Sequence, residues 1–271
     1  MPIKSMPVWK WVLLLIVSFA LAVLMYALAQ AAGDFVKPDW LNWIVSVVVS
    51  AVMVLLYATF VRLFEKKPAG DIALSRFPAE AGKGLAVGAL FMAAVVLVMM
   101  VFGLYRISSV GTDEPRSIVS AFFLFLYVAV GEEIIFRGVL FRWIDEKWGF
   151  IAALLISSLL FGGLHIGQPG ATWWSSLAIA IEAGLLLGAA YKYSGTLWLP
   201  VGIHWAWNFV QGNVFGFQVS GGDAGNALIH ASVKGPDFLT GGPFGAEASI
   251  ITVILGLALS LWFIGKARKK H

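Results

Sequence analysis

The sequence predicts an all-α membrane protein: a polytopic helix bundle of about eight transmembrane helices, with a polar cavity within the bilayer. Three observations carry this. Of 271 residues, 60% are hydrophobic and 13% charged, against roughly 45–50% and about 25% in a soluble domain. The apolar residues come in blocks of about 20, the length at which a helix crosses a bilayer. Lys and Arg gather in the short stretches between blocks, and their excess alternates from one stretch to the next, the pattern that orients spans.

The first block, 11–32, follows Lys4 and Lys10. It is longer than the roughly 7–15-residue core of a signal peptide, so it is read as a retained span. The other blocks are 41–62, 84–104, 117–140, 150–166, 173–191, 197–213 and 248–265. Block 150–166 is short, and block 173–191 contains Glu182, an acid with no evident role. The first loop holds Asp34, Lys37 and Asp39, and the second holds Arg62, Lys66, Lys67, Arg76 and Lys83. Arg106 and Arg116 in the third loop are offset by Asp113 and Glu114, whereas the fourth carries Arg142 and Lys147. The fifth has no charge, the sixth has Lys192, and the tail has Lys266, Arg268, Lys269 and Lys270. The cation-rich stretches are thus the N-terminus, the even loops and the tail, which puts both termini in the cytoplasm. The expected location is the plasma (inner) membrane. Loop 214–247 has Lys234 as its one cation and the turn formers Gly221-Gly222, Gly235-Pro236 and Gly241-Gly242-Pro243. Its composition is read as a flexible outer loop or partial lid. The chain, 1–271, is read as a single membrane domain.

The absence of cysteine excludes disulfides, Cys-ligated zinc and thiol catalysis. The net charge of +4 sits beside the spans, so it anchors helices and calls for no nucleic-acid partner.

Against this apolar background a few polar residues stand out. Glu132 and Glu133 lie in the fourth block, where an ionised group at mid-helix costs about 2.5–3.5 kcal/mol. They face water at an interface or belong to a site. Arg137 is four residues after Glu133, so the two can pair on one helix face, while Glu132, rotated about 100° away, has no such partner. Glu133–Arg137 is therefore read as a structural ion pair and Glu132 as the acid left free. His165 ends the fifth block after Gly162-Gly163, which permit close helix approach. His204 and Asn208 share a face of the seventh. Singly, each reads equally well as hydrogen-bonded packing; together they read as a site. A carboxylate beside an imidazole can activate water, and a second imidazole with an amide can hold an oxyanion. The predicted catalytic set is Glu132 and His165 on water, with His204 and Asn208 on the oxyanion. No G-x-S-x-G frame offers a serine nucleophile.

Glu132-Glu133-x-x-x-Arg137, Phe161-x-x-x-His165 and His204-x-x-x-Asn208 resemble, in order, the three motifs of the CPBP family of CAAX prenyl endopeptidases and bacteriocin-processing or immunity-type membrane proteins. The stretch from Gly184 through Gly188, Tyr191 and Gly195 to Trp198 is also similar. The resemblance spans 117–213, which would be the protease core. It implies a CAAX-type intramembrane endopeptidase, a hydrolase with a cavity opening toward the cytoplasm and a peptide or lipidated protein as substrate, alongside membrane lipid. No cofactor is expected. Many members are labelled metalloproteases, which leaves zinc on Glu132, His165 and His204 as an alternative. A transporter, scaffold or toxin-immunity protein is the non-enzymatic alternative.

Overall fold

The structure is a computed structural model that describes residues 6–33, 39–223 and 225–270. Lys4, and Asp34 and Lys37 of the first loop, lie outside them. The protein is a polytopic helical bundle. Its helices are α1 (Val8–Gly33), α2 (Asp39–Phe60), α3 (Phe77–Val101), α4 (Pro115–Glu133), α5 (Arg142–Trp148), α6 (Phe150–Leu164), α7 (Trp173–Ile179), α8 (Leu185–Ser194), α9 (Trp198–Phe209), α10 (Asp237–Thr240) and α11 (Ile250–Lys270). The run Ile134–Phe141 joins α4 to α5 as π-helix, and Ala180–Gly184 joins α7 to α8 likewise. Two short strands, β1 (Tyr105–Val110) and β2 (Ile229–Val233), pair antiparallel.

Six helical runs among the described residues are long and apolar enough to cross a membrane: Trp40–Glu65, Gly70–Val101, Pro115–Trp148, Phe150–Gly167, Trp173–Ser194 and Ile250–Lys269. The protein is an integral membrane protein. The expected count of eight is not reached on this measure. Block 197–213 became the 12-residue α9, extended by a π turn, Val210–Val214. Every residue from Trp198 to Asn208 is buried, so α9 is a central helix that other helices shield from lipid. The outer helices show the opposite face: Leu90, Leu97 and Val101 on α3, Leu155 and Leu159 on α6, and Ile254 and Leu261 on α11 are exposed. Apolar side chains in those places belong against acyl chains.

Local signals punctuate the runs. Gly149, at φ 88°, separates α5 from α6. Thr172 and Ser175 cap α7 reciprocally, with Ser175 N–H donating to Thr172 Oγ1 at 3.0 Å and Thr172 N–H to Ser175 Oγ at 2.7 Å.

The loops gather at two ends as the alternation requires. At one end the even loops meet: Lys67 pairs with Glu146 at 2.5 Å, Lys192 with Asp145 at 2.6 Å, and Arg76 donates to the Ser194 carbonyl at 2.8 Å. At the other, β1 of the third loop pairs with β2 of the seventh, and Gly221 abuts Pro169 of the fifth. The segment after α9 folds over this second end as a cap. Gly221 N–H donates to the Phe244 carbonyl at 2.8 Å, Trp174 Nε1 to the Ala248 carbonyl at 2.7 Å, and Tyr105 Oη to the Phe215 carbonyl at 2.8 Å.

Helix α9 is seated on α3 by glycine. A Cβ on Gly84 would run into the Leu199 carbonyl oxygen, one on Gly88 into the Ile203 carbonyl oxygen, and one on Gly202 into the Ala81 carbonyl oxygen. The two backbones touch with no side chain between them. Gly88→Val is expected to destabilise the protein by about 1–3 kcal/mol, the scale of overpacking in a close-packed interior. Because Ile203 precedes His204, the same change should displace that imidazole. Thermal unfolding in detergent measures the first effect; wild-type stability would contradict it.

Candidate functional site

Glu132 and Glu133 close α4, but the helix runs on to Trp148, so both acids sit midway along the span and not at its end. Glu133 is fully buried and Glu132 retains 20% side-chain exposure. The expected pair is present: Arg137 Nη1 donates to Glu133 Oε1 at 2.9 Å. Arg137 Nη2 also reaches the Ala183 and Gly184 carbonyls at 3.3 and 3.2 Å, and its guanidinium lies 4.7 Å from the Phe161 ring centroid. Arg137 therefore ties three helical runs together around one buried carboxylate.

Glu133 has a second partner that sequence spacing does not reveal. His204 Nδ1 lies 3.0 Å from the same Oε1, and His204 Nε2 lies 3.9 Å from Glu132 Oε2. The latter distance is too long for a direct hydrogen bond. A carboxylate only accepts, so Nδ1–H donates to Glu133 and Nε2 faces Glu132. The two neighbouring acids thus act on opposite nitrogens of one ring.

His165 stands at the C-terminus of α6, where its Nδ1 donates to the Phe161 carbonyl, 2.7 Å away; the bond points its Nε2 away from its own helix. His165, His204 and Asn208 line one pocket with Phe161, Ile179, Ala183, Leu187 and Trp207. The cavity volume is about 20 Å³, room for about one water molecule. Glu132 reaches this set through His204 and is not itself part of the lining. The structure thus brings His165, His204 and Asn208 to one cavity, and Glu132, Glu133 and Arg137 to the ring of His204.

Two lining residues escaped sequence reasoning. Ser220 and Glu247 come from the cap. Ser220 N–H donates to Glu247 Oε2 at 2.6 Å, closing the cap over the pocket. Glu247 is buried, and that burial pushes its carboxyl up to about 7 against the hydrogen bonds from Ser220 and Gln211; Glu182 and His204 are the titratable groups that face it. In the unfolded chain the same group titrates near 4.5. The folded state therefore holds the proton more tightly, and stability falls as pH rises from about 4.5 through about 7. Glu247→Gln should flatten that decline, which thermal unfolding at pH 5 and pH 8 will show; an unchanged pH dependence would contradict it. Glu182 is fully buried, with neither carboxylate oxygen bonded within the protein, and stands apart from the pocket lining.

Among the described residues no group of three or more His, Asp or Glu side chains is placed to hold a metal ion. Glu132 lies outside the pocket that His165 and His204 line, and no step is routed through a metal.

Residues 114–210 match the family of type II CAAX prenyl endopeptidases described as Rce1-like. The match covers α4 to the start of the π turn after α9, and so every residue of the three motifs. The chain is also 29% identical over 140 residues to the uncharacterized protein YpbD of Bacillus subtilis (strain 168), which covers 50% of this chain and 67% of that one. No solved structure matches. The resemblance to the CPBP family read from the motifs is thereby shown.

Proposed function

We propose, from a chain whose core is Rce1-like, that the protein is a CAAX-type intramembrane endopeptidase that hydrolyses a peptide bond of a membrane-associated peptide or lipidated protein with water activated by Glu132. One observation carries the reading. His204 is held between two mid-membrane carboxylates, with Nδ1 on Glu133 and Nε2 toward Glu132, on the wall of a pocket shared with His165 and Asn208. A scaffold or a structural hydrogen bond needs neither the second acid nor the second imidazole.

In this reading a water molecule beside Glu132 loses its proton to the carboxylate as its oxygen attacks the scissile carbonyl carbon, with His165 helping to orient it. The oxyanion takes hydrogen bonds from Asn208 and from Nε2 of protonated His204. The C–N bond then breaks and the proton on Glu132 passes to the leaving amine. Glu133 and Arg137 fix the imidazole and the helix, as the partners that orient a reacting group do.

With the Lys/Arg-rich end in the cytoplasm of a plasma (inner) membrane, the pocket runs from mid-depth toward the opposite, capped end. The resemblance implied an opening toward the cytoplasm, and the lining by Ser220 and Glu247 argues against it.

The test is comparative proteomics of cells carrying wild-type protein or Glu132→Ala, seeking a peptide that accumulates uncut in the variant, followed by cleavage of that peptide by purified protein with and without a chelator. Cleavage that survives chelation and depends on Glu132 supports the proposal. Loss of cleavage on chelation moves the reading to zinc, and absence of any uncut peptide moves it to a transporter, scaffold or immunity protein.

A further inference from the structure

A second cavity lies at the cation-rich end, between α3, α8, α9 and α11. Its volume is about 400 Å³, and it is lined by Arg76, Glu80, Lys83, Val87, Leu199 and Trp262, among others. Its place in the span defines its chemistry. Arg76 sits at the N-terminal edge of α3 and Val87 three turns deeper, about 16 Å along the axis at 1.5 Å per residue. The cavity thus runs from headgroup depth into the acyl region. Its upper part is charged: Lys83 Nζ lies 3.2 Å and Arg76 Nη2 3.8 Å from Glu80 Oε1. Two cations share one acid, so the wall keeps a net positive charge. Lys83 is 66% exposed on its side chain, free to reach a ligand while Glu80 steadies it. The lower part is apolar and open to lipid: Trp262 is 50% exposed, and Lys266 Nζ lies 5.6 Å from its ring centroid, adding a third cation at the rim.

We propose that this groove is a binding site for one diacyl anionic phospholipid. Its phosphate lies against Lys83 and Lys266, and an acyl chain follows Val87, Leu199 and Trp262. Three facts favour lipid over other occupants. The groove opens sideways from α3 and α11, whose outer faces carry apolar side chains. Lys266 stands over the Trp262 ring, a cation and an aromatic side by side as in the layer where headgroups lie. Basic clefts between spans on the positive side are suited to anionic headgroups. The site is remote from the His204 pocket and does not depend on the endopeptidase reading.

The test is native mass spectrometry of the full-length protein in neutral detergent, with equimolar phosphatidylglycerol and phosphatidylcholine of matched chains added. Wild type should retain one phosphatidylglycerol in clear preference to phosphatidylcholine. Lys83→Glu and Lys266→Glu should each lower that retention at least about fivefold, the scale of one cation near an anionic surface, and Glu80→Gln should raise it. Monodispersity and unchanged thermal unfolding confirm that the fold is intact in each variant. Inorganic phosphate at millimolar concentration should not displace the lipid; displacement would mean that a free anion is the ligand. Equal retention of both lipids, or retention indifferent to Lys83→Glu and Lys266→Glu, overturns the proposal.

Discussion

Glu132→Gln lowers peptide cleavage by at least about 10²-fold, the scale of a lost general base, in a protein that remains folded. The substitution keeps the size of the side chain and removes only its ability to take a proton. Glu132 retains exposure and makes no close bond, so stability should hardly change. His204→Ala is expected to cost as much, since it removes the ring that both acids face, and His165→Ala likewise. Asn208→Ala should cost less, one oxyanion donor among two. Initial rates on the natural peptide, in detergent and with wild-type unfolding temperature as control, check all four. Cleavage by Glu132→Gln at the wild-type rate sinks the assignment of the base.

The largest stability effect is expected at Arg137. Its guanidinium is 1% exposed and Glu133 is fully buried. Removing one partner of a buried pair leaves a charge with no compensation, at a cost of about 3–5 kcal/mol. Arg137→Met also strips the Ala183 and Gly184 carbonyls of their donor, so the join between α7 and α8 should loosen with it. The informative control is the double variant Glu133→Leu with Arg137→Met. Replacing the whole pair by apolar side chains should recover much of the stability, since buried pairs contribute little net, yet cleavage should stay lost because His204 no longer has its acceptor. Denaturant unfolding of wild type and the two variants separates the two effects. An unfolding midpoint for Arg137→Met equal to wild type would show that the pair does not hold the helices.

Much of this was legible in the sequence because its physical signals are local. Apolar blocks mark spans, alternating cations set their ends, and i, i+4 spacing pairs Glu133 with Arg137 and aligns His204 with Asn208. What needed the fold was contact between elements. The Glu133–His204 bond joins residues 71 apart, and no periodicity encodes it. The helix that carries Glu132 runs past residue 140 to Trp148, which sets that acid at mid-span. Glu247 was hidden for another reason: a single acid in a glycine-rich stretch carries no pattern, and only the folding of the cap brings it to the pocket. The composition that read as a flexible loop also supplies left-handed glycines, such as Gly241 at φ 91° and Gly245 at φ 112°, on which the cap turns back.

The glycine seam between α3 and α9 bears on how a polypeptide reaches the pocket. Two helices meeting backbone to backbone have no rotamers to exchange at their join, so neither can pivot without lifting off the other. His204 and Asn208 therefore belong to a stationary frame, fixed before any substrate arrives. On the proposed reading, admission falls to the cap, where Phe244 and Ala246 pack into the core and Ser220 clasps Glu247.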